Sequence, residues 1–350
     1  MHERPYGLMS DQHAHAWSSF STLDEEGRNT RLMGIIAEIH RCCDMTRKAG
    51  GDTVVLGGDL FHTRGSVEPE VFNPVRDAFL EETRKCISFI GIAGNHDLGS
   101  RESLSLHSSV QMLHDTTSAI GIAHKSTITR QFCLVPWHSS PSAYLDAIGA
   151  AAFNVKDLSN TDLICHIGID GTLSGMPDHG VTAEKLASFG FRRVFSGHYH
   201  NFKDFGDGVY SIGALTHQTW GDVGTQAGFL IVHPDRVERF ASHQPMFVDL
   251  HADMDEADIF AAADGNYVRF KIGEATNKEV SEARELLAKM GAKGVSIVSV
   301  PKTATEKRSG VSAKSISSLG DAVVEFCKEK GMNPDVMNLC SNILSEVSAS

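Results

Sequence analysis

The sequence predicts an α/β fold: a two-sheet β-sandwich flanked by helices, with a small α/β cap and C-terminal helices after it. Two observations carry this prediction. Up to about residue 240, short apolar runs of strand length alternate with helical patterns, which is typical of parallel sheets covered by helices. From about residue 205 the sequence consists instead of short strand-like segments separated by glycine turns. This pattern indicates a meander that completes a second sheet.

Four apolar runs are the clearest strand candidates, because each is short and rich in β-branched or aromatic residues. These runs are 53–56, 87–92, 163–165 and 193–195. A helix is predicted before the first run, since apolar side chains recur there at helical spacing and a pair of glycines follows. The apolar positions of this helix are Leu32, Ile35, Ile36 and Ile39, and the glycines are Gly50 and Gly51.

The C-terminal third divides into smaller segments. The predicted boundaries are 1–244 for the main domain, 245–301 for the cap, 302–314 for a polar linker and 315–350 for a helical element. In the cap, alternation over 267–272 indicates a half-buried strand. Thr276 and Glu279 form a capping-box pattern that begins a helix, and 295–300 is a further strand. The cap is therefore predicted to be a β-α-β unit.

Composition narrows the class of protein. With 41% hydrophobic and 22% charged residues, the chain is ordinary for a soluble globular protein. Neither a signal peptide nor a membrane-spanning helix is expected, because the first residues are not followed by an apolar core and no apolar run reaches about 18 residues. A cytoplasmic protein with no membrane partner is expected. The seven cysteines contain no CxxC pair, so a thiolate zinc site is not expected. The net charge of −12 argues mildly against a protein that coats nucleic acid unaided.

Histidine is the unusual residue, with 18 copies, several of them beside Asp, Asn and Gly. Five motifs follow predicted strands, and they are Asp11-Gln12-His13, Gly57-Gly58-Asp59, Gly94-Asn95-His96-Asp97, His166 and Gly197-His198-Tyr199-His200. The carboxyl ends of strands in an α/β sheet converge on one edge, where ligands bind. In extended backbone, the side chains of residues two apart point to the same face. We therefore expect Asp11 and His13 to share one face, and likewise His198 and His200.

Each motif alone has an ordinary interpretation. Asp11 and His13 could belong to a surface loop, Gly58-Asp59 to a turn, and His166 to a hydrogen-bonded core. The conjunction of all five, each after a strand, favours a metal centre. Oxygen and imidazole ligands without thiolate suit manganese, iron or zinc, and two cations together can activate water and clamp a phosphate.

These residues resemble the calcineurin-like metallophosphoesterase superfamily, whose ordered signature is DxH, GD, GNH(D/E), H and GHxH. The resemblance covers about residues 8–200, and every ligand position is filled. It implies that one metal is held by Asp11, His13 and His200, the other by Asn95, His166 and His198, with Asp59 bridging them. His96 would stabilise the transition state or protonate the leaving oxygen, and Asp97 would orient His96 or a ligand.

A narrower resemblance concerns the substrate. The stretch Asp59-Leu60-Phe61-His62 looks like the D subunit of the SbcCD nuclease and its double-strand-break-repair relatives. This implies a manganese-dependent DNA exonuclease and endonuclease (magnesium, iron or zinc being other options), with His62 needed for exonuclease action. It also implies a homodimer whose segment 315–350 docks on an SMC-like, SbcC-type ATPase. The chain departs from these relatives at Gly213-Ala214, where they carry a glycine-serine-type turn.

Several alternatives stay open at this stage. The chain could be a stand-alone phosphodiesterase or phosphatase that acts on a small nucleotide, and the C-terminal helices could fold back on their own domain. His62 could be a solvated or capping residue. The long loop 14–28, with Trp17 and Phe20, could line a DNA groove by stacking, although a packed loop is the safer interpretation. His15, His138, His179 and His217 are expected to be ordinary histidines, and His217 has the alternative of facing substrate because it lies near the meander turn.

Overall fold

The computed structural model describes residues 4–100, 109–116, 120–129, 131–299 and 333. The chain divides into two compact units, Met1–Val300 and Pro301–Ser350. The predicted linker (302–314) lies outside the described residues, as does the predicted helical element (315–350) apart from Asn333. The boundary between the main domain and the cap falls inside the first unit and stays a prediction. No helix in the described part of the chain is long and apolar enough to cross a membrane.

The first unit alternates strands and helices along the chain. In order, they are β1 (Tyr6–Met9), α1 (Thr30–Lys48), β2 (Thr53–Leu56), α2 (Pro69–Arg84), β3 (Ser88–Ile92), α3 (Ser109–Thr116), β4 (Ile120–Ala123), β5 (Thr127–Ile128), β6 (Phe132–Val135), α4 (Pro141–Asn154), β7 (Asp162–His166), α5 (Ala183–Ala187), β8 (Arg193–Gly197), β9 (Lys203–Asp204), β10 (Val209–Ser211), β11 (Gly228–Val232), β12 (Val237–Ala241), β13 (Phe247–His251), α6 (Glu256–Ala263), β14 (Tyr267–Ile272), α7 (Asn277–Lys289) and β15 (Gly294–Ser299).

Two six-stranded sheets form the main body. Their strand orders are β12-β11-β1-β2-β3-β4 and β5-β6-β7-β8-β10-β9. The strands at the centre of each sheet are parallel. One apolar core contains Leu8, Val55, Ile164 and Phe195, contributed by both sheets, so it lies between them. The predicted sandwich flanked by helices is therefore confirmed.

Helix α1 covers the outer face of the first sheet for reasons visible in its sequence. The Asn29 side chain accepts hydrogen bonds from the backbone N–H groups of Arg31 and Leu32, a cap worth about 1 kcal/mol. The four predicted apolar positions, Leu32, Ile35, Ile36 and Ile39, are all buried against the sheet. The helix ends at Lys48, and Gly50 follows with a φ of 88°, as the glycine pair predicts.

The predicted meander is wrong in part. Strands β9 and β10 join the second sheet, but β11 and β12 join the first, where β11 runs antiparallel to β1. Strand β11 is buried along its whole length, so it is placed inside a sheet by its apolar character. Neither alternation nor glycine spacing states which of two neighbouring sheets such a strand will join.

The cap is larger than the β-α-β unit that the sequence predicts. A parallel three-stranded sheet, β13-β14-β15, carries two helices, so β13 and α6 were missed. Strand β13 contains Asp249, whose carboxylate pairs with Arg269 at 2.6 Å and Lys271 at 2.6 Å on the neighbouring strand β14. A charged residue paired across strands hides the strand pattern in the sequence. The predicted capping box is confirmed, because Thr276 and Glu279 each accept the other's backbone N–H.

Candidate metal centre

The predicted ligands come together where the central strands of both sheets end. Asp11 and His13 follow β1, Asp59 follows β2, and Asn95 follows β3. The second sheet contributes His166, the last residue of β7, with His198 and His200 directly after β8. The sandwich thus brings two sheet edges to one site, as convergence of carboxyl ends predicts.

Extended backbone was expected at the ligand pairs, but four of the predicted ligands have positive φ instead. Asp11, His13, Asp59 and His198 have φ values of 50°, 43°, 56° and 92°, a region that costs a residue with a side chain about 1–3 kcal/mol. The loops after β1 and β2 hold this geometry, because Asp11 donates its N–H to Gly58 O and His13 donates to Asp59 O, both at 3.0 Å. The side chains still converge, but through strained turns rather than through strand alternation.

Two glycines allow these loops to approach one another. A Cβ on Gly94 would lie 2.2 Å from Oδ1 of Asp59, and a Cβ on Gly58 would lie 2.4 Å from Nδ1 of His166. Gly58 also has a φ of 103°, which disfavours a side chain. Any side chain at either position would displace a predicted ligand.

The ligand atoms fall into two groups that fit two divalent cations. Asp11, His13 and His200 form one group, and Asp59, His166 and His198 the other, with the ligand atoms of each group within 4.8 Å of one another. Oδ2 of Asp59 lies 3.5 Å from Nε2 of His13 and 3.3 Å from Nε2 of His166. Asp59 therefore stands between the groups, at the bridging position that the resemblance implies.

The charges and pKa values at the site also favour the binding of a cation. Burial opposes ionisation of Asp59, but His166 and His13 outweigh it and hold the pKa of this carboxyl well below its usual range. Burial lowers the pKa of His166, but Asp59 outweighs this and raises the pKa to about 9. The ligand cluster thus attracts positive charge, and a divalent cation can take the place of that proton.

Hydrogen bonds fix which nitrogen two of the predicted histidine ligands, His166 and His200, present to the site. His166 donates from Nδ1 to Gly57 O at 2.7 Å, which leaves Nε2 to face Asp59 and Asn95. His200 donates from Nδ1 to Oδ1 of Asp222 at 2.7 Å, which leaves its Nε2 for the site. A carboxylate behind a ligating histidine raises the basicity of the ligand and fixes its orientation.

Asp222 is a site residue that the sequence analysis missed. Its second oxygen accepts the N–H groups of Gln218 and Thr219, both at 2.8 Å, so one buried carboxylate holds both the turn and His200. The available signal was the capping-box spacing of Thr219 and Asp222. That pattern indicates a helix start but says nothing about a histidine 22 residues away.

Asp222→Ala should weaken metal binding by about 10- to 100-fold, because His200 loses the acceptor that orients it. A competition titration with a chromogenic chelator measures this affinity. Asp222→Asn retains one oxygen for the His200 N–H, but its NH₂ then faces the N–H groups of Gln218 and Thr219, so it should recover only part of the affinity. Thermal melting checks that both variants are folded. Equal metal affinity in Asp222→Ala and the wild type would contradict the assigned role.

Asp97 orients the backbone of Asp59. Its Oδ2 accepts the N–H groups of Asp59 at 2.7 Å and Gly94 at 2.9 Å, and its Oδ1 accepts that of Leu60 at 3.0 Å. The carboxylate therefore ties the loop after β2 to the loop after β3. Of the two roles expected for it, positioning a ligand is the one its contacts support.

The two predicted catalytic histidines lie together at the edge of the site. His96 donates from Nδ1 to the carbonyl oxygen of His62 at 2.6 Å, so its Nε2 is the nitrogen left for substrate. The ring centroids of His62 and His96 are 5.4 Å apart and nearly parallel, and Nδ1 of His62 lies 3.3 Å from Nδ1 of His13. Burial, with His96 and His15 nearby, lowers the pKa of His62 to about 4, so this imidazole is neutral at pH 7.

The two aromatic residues of the loop 14–28 are packed, although much of the rest of the loop is exposed. Trp17 lies 4.6 Å from the His62 ring, and Phe20 stacks on Tyr267 of the cap at 5.2 Å. His217 faces the cap, since its Nδ1 accepts the N–H of Phe247 at 3.0 Å. The loop thus supports His62 from behind, and the substrate-facing role considered for His217 finds no support.

Comparison with known proteins identifies the family. Residues 5–202 match the calcineurin-like phosphoesterase family, which is more than half of the chain. The chain belongs to this family. It is therefore a metal-dependent phosphoester hydrolase, with a donor set that suits two divalent cations.

Two individual proteins are similar to this calcineurin-like phosphoesterase. Exonuclease subunit 1 of Enterobacteria phage T4 is 24% identical over 211 residues, which cover 59% of this chain and 59% of that protein. The match thus spans less than two thirds of the relative's length. A dimetal phosphatase from Danio rerio has 14% sequence identity and a TM-score of 0.36, covering 69% of this chain and 96% of that one.

Proposed function

We propose that this calcineurin-like phosphoesterase is a two-metal DNA exonuclease and endonuclease with manganese as its native cation. The observation that carries the proposal is the segment Asp59-Leu60-Phe61-His62, which places a neutral histidine beside both His13 of the metal site and His96. The similarity to a phage exonuclease subunit supports the same substrate class.

The residues of the chain divide the chemistry between them. Two bound cations supply activation of water and polarisation of the phosphate. His96 faces the substrate with Nε2, since Nδ1 donates to His62 O, and it delivers a proton to the leaving oxygen. The backbone N–H of His96 donates to Oδ1 of Asp59 at 2.7 Å, which couples the position of the proton donor to that of the bridging carboxylate.

Digestion of end-labelled linear DNA by the purified full chain with manganese tests this proposal. We expect mononucleotides or short products from duplex ends and cleavage of single-stranded circles, both abolished by EDTA. If DNA survives and a small nucleotide such as a cyclic nucleotide is hydrolysed instead, the chain is a stand-alone phosphodiesterase or phosphatase. Hydrolysis of neither substrate class would reject both.

An SMC-like ATPase is the proposed partner, and a homodimer the proposed assembly. The apolar positions Leu319, Val323 and Phe326 in the segment 315–350 have a spacing typical of an amphipathic helix that docks in a groove. An ATPase that grips DNA would also offset the acidic net charge of −12.

Deleting residues 315–350 should abolish co-purification with a co-expressed SMC-like ATPase of the SbcC type and leave metal content unchanged. Metal content should not change because every predicted ligand lies between Asp11 and His200, outside the deleted segment. Pull-down from cells that express both proteins, with metal analysis of the purified variant, makes the measurement. Co-purification that survives the deletion would reject docking through this segment.

A further inference from the structure

A cavity of about 220 Å³ opens at the edge of the sheets that carries the metal centre. Its lining comes mainly from loops that follow strands, and it includes Leu98 after β3, His124 and Lys125 after β4, and Trp137 and His138 after β6. Strand β4 runs parallel to β3, and β6 runs parallel to β7. These loops therefore leave the sheets at the same edge as the predicted ligands, where part of a bound substrate can enter the cavity.

Trp137 borders both the metal centre and the cavity. Its ring centroid lies 5.1 Å from that of His198 and 6.3 Å from that of His166, and the residue also lines the cavity. Its backbone N–H donates to the carbonyl oxygen of Ala93 at 3.0 Å, which ties the loop after β6 to the first sheet. Trp137 is half-buried, so an anchored aromatic side chain still offers surface to a ligand.

The size and the lining of the cavity fit a flat ring system. Pockets that hold a whole drug-sized ligand usually measure about 300–1,000 Å³, so a cavity of about 220 Å³ takes only part of a ligand. Pro136 and Leu98, both buried, add apolar surface to that of Trp137. A nucleobase matches these walls, because every base has a π-face that stacks on an aromatic side chain.

The charge of the lining is complementary to a nucleotide. Lys125 lines the cavity and forms no ion pair with a carboxylate among the described residues, and the lining residues that the structure describes include no Asp or Glu. The chain as a whole carries a net charge of −12, so this lining differs from the average surface. A lysine beside the cavity favours the phosphates that flank a base.

We propose that the cavity is a nucleoside-binding subsite in which Trp137 stacks on the base of the nucleotide that keeps the phosphate after hydrolysis. The leaving oxygen has a separate place, because its proton donor His96 lies against His62, whereas Trp137 lies against His198. The inference rests on the proposed action on nucleic acid. It makes Trp137 a specificity residue that prefers nucleotide esters to other phosphodiesters without selecting a base sequence.

Two chromogenic esters test the subsite. Thymidine 5′-(p-nitrophenyl phosphate) and the same ester with an abasic deoxyribose share the sugar, the phosphate and the leaving group, and differ only in the base. In the manganese-loaded full chain, kcat/KM should be about 10-fold or more higher for the thymidine ester, the scale of one base–aromatic stack, and the difference should lie mainly in KM.

The variants assign this preference to Trp137. In Trp137→Ala the two kcat/KM values should become nearly equal, and Trp137→Phe should keep part of the preference because it retains an aromatic face. Phe153→Ala is the matched control, since it removes an aromatic side chain that is 91% exposed at the C-terminal end of α4. This control should show the wild-type preference. Metal affinity is measured in every variant, because Trp137 also contacts His198.

Three results would overturn the proposal. A wild type without preference for the thymidine ester has no base subsite, and a full preference in Trp137→Ala places the base elsewhere. An equal loss on both esters together with weaker metal binding would show that Trp137 only supports His198. A wild type that prefers the thymidine ester but leaves DNA intact would reject the nuclease proposal alone, because the subsite would then serve a small nucleotide substrate.

Discussion

Asp59→Asn is expected to reduce hydrolysis of any phosphodiester by about 10³-fold or more, equivalent to a loss of roughly 4 kcal/mol of transition-state stabilisation. Asp59 is the carboxylate that reaches both ligand groups, at 3.5 Å from His13 and 3.3 Å from His166. Asparagine keeps the shape of the side chain but removes the negative charge that two neighbouring cations would share. The effect should therefore appear in metal content as well as in rate.

Metal analysis and the kcat for bis(p-nitrophenyl) phosphate measure the two consequences separately. The variant should retain at most one tightly held metal per chain, while the wild type retains a pair. Asp52→Asn is the matched control, since Asp52 lies just before the opposite end of β2 and pairs with Arg4 at the surface. A variant that keeps the full metal complement and wild-type activity would refute the bridging role of Asp59.

His62→Ala is expected to lower exonuclease activity on duplex DNA by about 10²-fold or more, the scale of a lost catalytic group, while hydrolysis of a small diester remains. Only the side chain is removed, so the backbone oxygen that accepts from His96 Nδ1 stays in place. His96 thus keeps its orientation. The imidazole contact with His13 at 3.3 Å is lost, so the assay requires saturating manganese to offset any weakening of that ligand.

His15→Ala is the control for this experiment, because the His15 ring lies 5.2 Å from the His62 ring and outside the ligand groups. It should leave both activities near the wild-type level. The measurement is the ratio of exonuclease rate to diester kcat in each variant. An equal loss of both activities in His62→Ala would show that His62 serves the metal site in general and has no special role at DNA ends.

The convergence of the predicted ligands could be anticipated from the sequence because each lies in a short motif at the end of a strand or directly after it. Strand ends of parallel sheets meet at one edge, so local patterns around Asp59, Asn95 and His198 were enough to place them in one site. Helix α1 could also be predicted from the sequence, since its N-terminal cap and the spacing of its apolar residues are both local features. The backbone at Asp11 was not, because its positive φ is imposed by a hydrogen bond to Gly58 on another strand.

The prediction from sequence was wrong where the structure of a segment depends on a distant part of the chain. The sequence shows that β11 is a buried strand, but pairing with β1, more than 200 residues earlier in the chain, decides its sheet. Strand β13 escaped notice because Asp249 looks unsuited to a strand until its ion pairs with β14 are formed. In both cases the deciding interaction is a contact between two segments, and the local sequence pattern of either segment does not reveal the other.

The sequence by itself determined that this chain has an α/β fold and carries the motifs of a calcineurin-like phosphoesterase, including every predicted ligand. Only the tertiary structure decided how those ligands are held. It placed Asp222 behind His200, turned Asp97 toward Asp59, and brought Trp137 beside His198. The physical reason is that ligand identity is a property of short segments, whereas orientation and charge compensation depend on hydrogen bonds between loops that meet only after the sheets have packed.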